Sequence, residues 1–398
     1  MARLAIIADD LTGATDAAVA FAVRGYPTHV LLDPAYDAGA DFIALTTESR
    51  HLSPDDGAEQ VRLISRHHSG ADEFYKKLDS TLRGNPAAEL FALMETTGET
   101  RALIAPAFPA QGRTTVNGRQ LLHGVALEQT EFYPDITTSQ LVELFQRPGA
   151  DFPPRLIALG AVRQGSRRTA ELLADPTPGL FVVDAKTDAD LDTVAEAAHA
   201  VGIRMLCGSA GLCHALARRL PQQAIPPSEH RRQPVPRPIL AVAGSRHQAT
   251  LDQVRAAGNA HTFLLSPDRV TVDTATAVRN MAVVQLGLRR HTIIETSQLD
   301  ALDYEAFAVA EWLALIVEAI FADFKPGGLV LTGGDIAMCV CRTLGARAVE
   351  LRGEVQPGIP WGTFHGGELD GLPLATKAGG FGGSDALAAT IDFLRNQA

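Results

Sequence analysis

Basic runs, long apolar stretches and cysteine are scarce in this chain, and each shortage excludes something. The cationic residues gather no further than short pairs such as Arg167-Arg168 and Arg231-Arg232. With 35 Lys and Arg against 46 Asp and Glu, the net charge is −11. An acidic chain without a basic patch is a poor partner for nucleic acid. The longest apolar stretch, Phe307 to Phe324, is interrupted by Glu311 and Glu318, which share one helical face and mark an amphipathic surface helix, so no membrane partner is expected. The opening Leu4–Ala8 run is too short for a signal-peptide core and reads as a buried strand, which points to the cytoplasm. Four cysteines (Cys207, Cys213, Cys339, Cys341) have neither disulfide-framework nor metal-ligand spacing and read as free thiols. No metal ligand is assigned from the sequence.

What is present is a chain of 398 residues, 46% of them hydrophobic, with enough length for two cores. Between Pro221 and Pro238 lie six prolines in eighteen residues, a density that no helix or central strand tolerates. The expected division is a domain over 1–220, a linker over 221–238 and a domain over 239–398. Short runs rich in Ile, Val, Leu and Phe alternate with helical patterns in both halves. Those runs (4–8, 29–32, 42–46, 74–78, 102–106, 156–159, 180–183 and 204–207, then 239–243, 262–265, 292–295, 329–332, 348–350 and 374–377) lack the alternation of a half-exposed strand. The expected fold class is therefore α/β, two domains, each a mostly parallel sheet flanked by helices.

In such sheets ligands bind beyond the carboxyl ends of strands, so polar clusters that follow a strand matter most. Asp9-Asp10 follows the first strand and opens a helix at Leu11-Thr12-Gly13-Ala14. A helix cap accounts for one carboxylate but not for two. Arg50 closes the cluster Thr46-Thr47-Glu48-Ser49-Arg50, which by itself also reads as a solvated loop. The run Lys76-Lys77-Leu78-Asp79-Ser80-Thr81-Leu82-Arg83-Gly84 supplies cations, a carboxylate and hydroxyls together. On a strand Lys77 and Asp79 would share one face, suiting a substrate with both a carboxylate and hydroxyls. Asn117-Gly118 signals a tight hairpin, either purely structural or a lid.

The second half carries three glycine loops that each follow a strand or open a helix: Gly244-Ser245-Arg246, Thr332-Gly333-Gly334-Asp335, and Gly379-Gly380-Phe381-Gly382-Gly383. Glycine lets backbone approach an anion, and a helix start presents unpaired N–H groups to it. Neither GxxxxGK[ST] nor GxGxxG occurs, so these loops are not a P-loop or a standard dinucleotide site. At Gly334 a Cβ is expected either to meet a phosphate or to force a dihedral that glycine alone takes cheaply.

Taken in order, Ala8–Ala14, Lys77–Gly84, Pro106–Pro109 with Gly112-Arg113, Gly208–Gly211, Gly244-Ser245, Thr332–Gly334, Pro357–Trp361 and Lys377–Gly382 span nearly the whole chain. This succession resembles the four-carbon acid sugar kinase family, which phosphorylates the terminal hydroxyl of D-threonate, D-erythronate or 3-oxotetronate with ATP. The resemblance implies an N-terminal sugar-acid domain and a C-terminal nucleotide domain. It implies substrate contacts at Asp10, Arg50, Lys77, Leu78, Asp79 and Ser80, with Asp10, Lys77 and Asp79 as the catalytic set. It places ATP, with Mg²⁺, against Ser245, Gly333, Gly334, Asp335, Ile336, Ala337 and Gly380. The sequence departs from the family where Gly-Gly-Glu-Thr is usual and Gly334-Asp335-Ile336-Ala337 stands, and where Gly-Asn-Phe-Gly is usual and Gly379–Gly382 stands. Two other readings compete: a phosphatase with an aspartyl nucleophile at Asp9 or Asp10, and a non-enzymatic sugar-acid-binding protein. The oligomeric state is left open, a homo-oligomer included.

Overall fold

A computed structural model describes residues 2–147, 154–224, 237–244, 247–258, 260–264, 272–296 and 306–397. Most of the expected linker (225–236) and Ser245 lie outside the described residues. The chain forms two compact units, Met1–Thr28 with Asp37–Ile225, and His29–Tyr36 with Pro226–Ala398.

The first unit is built on strands β1 (Leu4–Ala8), β3 (Phe42–Thr46), β4 (Glu73–Lys77), β5 (Arg101–Ala105), β9 (Arg155–Ile157), β10 (Gly179–Val183) and β11 (Met205–Gly208); β2 (Thr28–Leu31) runs into the second unit. The seven pair in the order β3-β1-β4-β11-β5-β10-β9, every pairing parallel. All five residues of β1 are buried, which is why its sequence is apolar at successive positions. The helix Leu11–Ala22 buries every residue but Asp16, and its many alanines let it lie close to its neighbours. Pro54 opens the next helix behind Ser53, whose side chain accepts from Asp56 N–H. Between β5 and β9 the chain makes a small meander, β6 (Arg113–Val116), β7 (Arg119–Leu122) and β8 (Val125–Ala126). Its first turn is Asn117-Gly118, with φ of 53° and 70°, the two-residue hairpin that the sequence signals.

The second unit contains β12 (Ile239–Ala243), β13 (Ala260–Leu264), β14 (His291–Glu295), β15 (Gly328–Thr332), β16 (Ala348–Gln356), β17 (Ile359–His365) and β18 (Pro373–Lys377). The run β13-β14-β12-β15-β18 is parallel, and β17, β16 and β2 extend it antiparallel. The expected boundary puts all of 1–220 in the first domain. In the structure residues 29–36 join the second unit, because β2 pairs with β16 at His29↔Glu350 and Leu31↔Ala348. The helix Ala306–Asp323 exposes Glu311 and Glu318, as the sequence pattern expects. Among the described residues no helix is long and apolar enough to cross a membrane. None of the four cysteines is in a disulfide, and burial raises the thiols of Cys207, Cys213 and Cys341 well above their usual range.

Candidate functional site

Parallel register brings the carboxyl ends of the first unit's strands level. Ala8 lies beside Thr46 and Lys77, Lys77 beside Gly208, and Gly208 beside Ala105. The segments beyond those residues therefore leave the sheet at one edge, where ligands bind in open parallel sheets.

The two aspartates after β1 have separate tasks. Asp10 caps the helix Leu11–Ala22: its Oδ1 accepts from Gly13 N–H at 2.6 Å and its Oδ2 from the Thr12 hydroxyl at 2.9 Å. Asp9 is held by Arg50, whose Nε and Nη2 each donate at 2.9 Å to a different carboxylate oxygen. The remaining Arg50 nitrogen, Nη1, lies 2.6 Å from Asp10 Oδ2. One guanidinium thus links both carboxylates. Burial alone would raise the Asp9 carboxyl; Arg50, with Lys76 and Lys77, overrides it and holds the group below its ordinary value. Burial works against the charge on Arg50 too, but Asp10, Asp9 and Asp79 lift that guanidinium well above its usual range.

Strand β4 ends at Lys77, so Asp79 sits on the following loop instead of beside Lys77 on a strand face. The expectation of a shared strand face is corrected by the strand's length. Asp79 accepts from the Thr81 hydroxyl at 2.6 Å and from Arg83. Burial would raise its carboxyl, but Arg50 and Arg83 take it far below the usual carboxylate range. Leu78 is buried and its N–H donates to Gly208 O; only its carbonyl faces Lys77, whose Nζ donates to it at 2.7 Å. Ser80 offers its carbonyl to Gln120 Nε2 at 2.9 Å. The same Gln120 nitrogen reaches Pro106 O at 3.2 Å, so the β6–β7 hairpin is fastened to two loops of the strand edge. The hairpin turn is fixed from behind by the buried carboxylate of Asp184, which accepts from the N–H groups of Asn117, Gly118 and Leu159.

Glu89 and Gln120 escaped the sequence reading, and Lys76, read there only as one of a run of cations, has a separate task. Lys76 is fully buried and pairs with Glu89 at 2.7 Å, while Ser49 donates to the other Glu89 oxygen at 2.8 Å. This pair supports the Arg50 segment from beneath. Lys76, next to the apolar Phe74-Tyr75 pair of β4, is the signal that could have shown it, since a buried ammonium requires a partner. Gln120 carried no signal, because the partners of its Nε2 are backbone carbonyls distant in sequence.

In the second unit, register sets Ala243 beside Thr332 and Thr332 beside Lys377. The helix Gly334–Thr343 starts there. Its cap, Gly333, has φ +104°, whereas Gly334 is the first helical residue. The conformational demand for glycine, expected at Gly334, therefore falls on Gly333. The helix start leaves the N–H groups of Gly334, Asp335 and Ile336 without intrahelical acceptors. Ala337 N–H is already spent on Gly333 O, and its side chain is buried, as is Ile336's. A Cβ on Gly244 would stand 1.8 Å from Ile336 Cδ1, so Ile336 acts here as packing. The Thr332 hydroxyl is buried without a hydrogen-bond partner among the described residues. Lys377 Nζ donates to the carbonyls of Ala378, Gly379 and Phe381 at 2.9–3.1 Å, and burial pushes it down to about 8. Gln253 Nε2 shares the Phe381 carbonyl and reaches two more of that loop, those of Gly382 and Gly383. Gly380 lies against His247, where a Cβ would stand 3.2 Å from Nε2.

Comparison with known proteins follows the same division. A family described as "Sugar-binding N-terminal domain" matches residues 4–216, and one described as "Nucleotide-binding C-terminal domain" matches residues 240–387. The chain is 36% identical to a D-threonate kinase of Salmonella typhimurium, over 98% of each chain. It is 32% identical to a D-erythronate kinase of Heliobacterium modesticaldum, over 99% of this chain and 97% of that one. A crystal structure of a Haemophilus influenzae protein superposes with a TM-score of 0.75 at 23% identity, over 98% of this chain and 100% of that one, a likeness of fold.

Proposed function

Because the chain belongs to the four-carbon acid sugar kinase family and is a kinase, we propose that it transfers the terminal phosphoryl group of ATP to the 4-hydroxyl of a four-carbon sugar acid. D-threonate is the first choice, ahead of D-erythronate, since the D-threonate kinase relative is the more similar of the two compared.

The observation that carries the reading is Lys77. It is a buried cation at the ligand-binding edge, and its ammonium bonds the neutral Leu78 carbonyl. An ammonium has three donors, so two remain for an anion, and a charge-assisted bond to a carboxylate is the strong use for them. Lys77, beside the Asp9–Arg50 fork, holds the acid's carboxylate. Asp10 and Asp79 accept hydrogen bonds from its hydroxyls. A carboxylate held as low as Asp79 is a poor proton acceptor, so Asp79 aligns a hydroxyl instead of deprotonating it.

The second unit's residues fit a nucleoside triphosphate. The Thr332 hydroxyl, without a partner among the described residues, and the N–H groups of Gly334, Asp335 and Ile336 at the helix start form a donor set for phosphate oxygens. Asp335 is the carboxylate there that would hold Mg²⁺. Bound ATP supplies the phosphoryl group, and Mg²⁺ supplies charge neutralisation between its phosphates.

The phosphatase reading requires a free carboxylate nucleophile after β1. Both Asp9 oxygens are occupied by Arg50, and Asp10 is a helix cap, so neither is disposed for attack. The test is a coupled ATP-consumption screen over D- and L-threonate, D- and L-erythronate and the 3-oxo acids. Turnover of one tetronate, dependent on ATP and Mg²⁺, is expected. No turnover of any of them, with release of phosphate from a sugar phosphate, would overturn the proposal.

A further inference from the structure

Three strands of the second unit bring two imidazoles and a carboxylate together, and the phosphoryl transfer uses none of them. Register fixes the juxtaposition. On β16, Glu350 lies opposite His29 of β2, and Ala348 lies opposite His365 of β17. Residues two apart on a strand share a face, so His29, Glu350 and His365 project from one side of the sheet. The small Ala348 leaves room for the imidazoles to meet edge to face, with ring centroids 4.7 Å apart. One donor atom from each of the three residues lies within 4.8 Å of the other two.

His29 is the informative member. It is 5% exposed, and neither of its ring nitrogens has a hydrogen-bond partner among the described residues. Buried polar atoms are nearly always paired, because leaving them bare costs their full desolvation. Glu350 is half committed: its Oε2 takes a bond from Arg352 at 2.7 Å, which leaves Oε1. The ring of Tyr36 packs against His365, 5.9 Å between centroids, and limits that imidazole's movement.

We propose that His29, Glu350 and His365 form a binding site for a first-row divalent transition metal, with zinc as the expected ion. Two imidazoles and one carboxylate are a donor set that zinc takes readily, whereas Mg²⁺ and Ca²⁺ prefer all-oxygen sites. Donors around one tetrahedral ion at a bond length of about 2.1 Å lie about 3.4 Å apart. Donors within 4.8 Å of one another therefore need to close by up to about 1.4 Å, which side-chain rotations supply. Glu350 and His365 are only partly buried and give the ion a route from solvent. The fourth position falls to water. Arg352 is the opposing charge, and its hold on Glu350 Oε2 keeps it beside the carboxylate as an orienting donor. The site would clamp β2 to the β16–β17 hairpin.

The experiment uses the full chain, stripped with a chelator, dialysed and titrated with Co²⁺ alone, then with Zn²⁺. One equivalent of Co²⁺ is expected to give visible d–d absorption, which Zn²⁺ abolishes, and Zn²⁺ should raise the melting temperature. His29→Asn and His365→Gln should each weaken binding at least a hundredfold, and Glu350→Gln about tenfold. His123→Gln, in the first unit, should change nothing. No stoichiometric binding, or binding that survives His365→Gln, overturns the proposal. If His29→Asn fails to fold, the partly exposed His365→Gln decides the matter.

Discussion

Arg50 grips Asp9 at two points, Nε and Nη2 each 2.9 Å from a different carboxylate oxygen, and its third nitrogen reaches Asp10. This fork joins the segment after β3 to the segment after β1, and it decides what Asp10 faces.

Removing it should be severe. Arg50→Ala leaves two carboxylates side by side with their shared cation gone, and breaking a buried ion pair costs ~3–5 kcal/mol. The melting temperature should fall and kinase turnover should drop by at least a hundredfold. Arg50→Lys keeps the charge but not the planar fork, so it should recover part of the stability and little of the turnover. Thermal melts and steady-state kinetics on both variants check this. Wild-type turnover in Arg50→Ala would mean the fork does not shape the site.

Lys77→Ala should weaken sugar-acid binding far more than ATP binding. A charge-assisted bond to a carboxylate is worth ~1.5–3 kcal/mol, or about ten- to a hundredfold in affinity. Calorimetric titration with each ligand separately measures it. Equal losses for both would assign Lys77 to the phosphates or to the fold.

At the nucleotide loop the two glycines should behave differently. Gly333, with φ +104°, lies where side-chain-bearing residues pay ~1–3 kcal/mol of strain. Gly333→Ala should lower stability and ATP affinity together. Gly334 is helical, so Gly334→Ala should leave stability intact. Gly334→Val adds bulk among the open N–H groups and should cut ATP affinity alone. Undiminished ATP affinity in both Gly333→Ala and Gly334→Val would remove this loop from the site.

Lys377 gives a pH signature of known sign. Burial lowers it from 10.5 to about 8 in the folded protein. Between those values the unfolded chain binds a proton that the folded chain does not, so stability rises with pH across that window. Below pH 8 the buried ammonium is charged in both states and the gain is absent. Melts of wild type and Lys377→Met from pH 7.5 to 10.5 should therefore differ in slope, with the rise smaller in the variant. Parallel slopes would show that Lys377 titrates normally.

Strands were legible because those buried on both faces are apolar at successive positions, as throughout β1 and in β15 up to its terminal Thr332. The glycine- and alanine-rich helix Ala210–Arg218 was not legible, since Gly208-Ser209-Ala210-Gly211 reads as a loop until Ser209 is seen to cap it. Strand β17 was missed as well: Pro360 and Gly362 break its propensity, and its pairing with β16 and β18 overrides them. At the site, residue types were readable and partners were not. Asp9, Asp10 and Arg50 stood out singly, yet their union depends on β1 and β3 lying side by side. Lys76 and Glu89 meet only when β4 and the helix Pro86–Thr97 are folded together.

The pairing of β2 with β16 also sets a timetable for synthesis. His29–Leu31 leaves the ribosome about 320 residues before its antiparallel partner Ala348–Glu350. The second unit's sheet cannot take up this strand until residue 350 has been made. A chain that stops short of residue 348 leaves that strand without its β16 partner, an exposed backbone edge of the kind that recruits other chains.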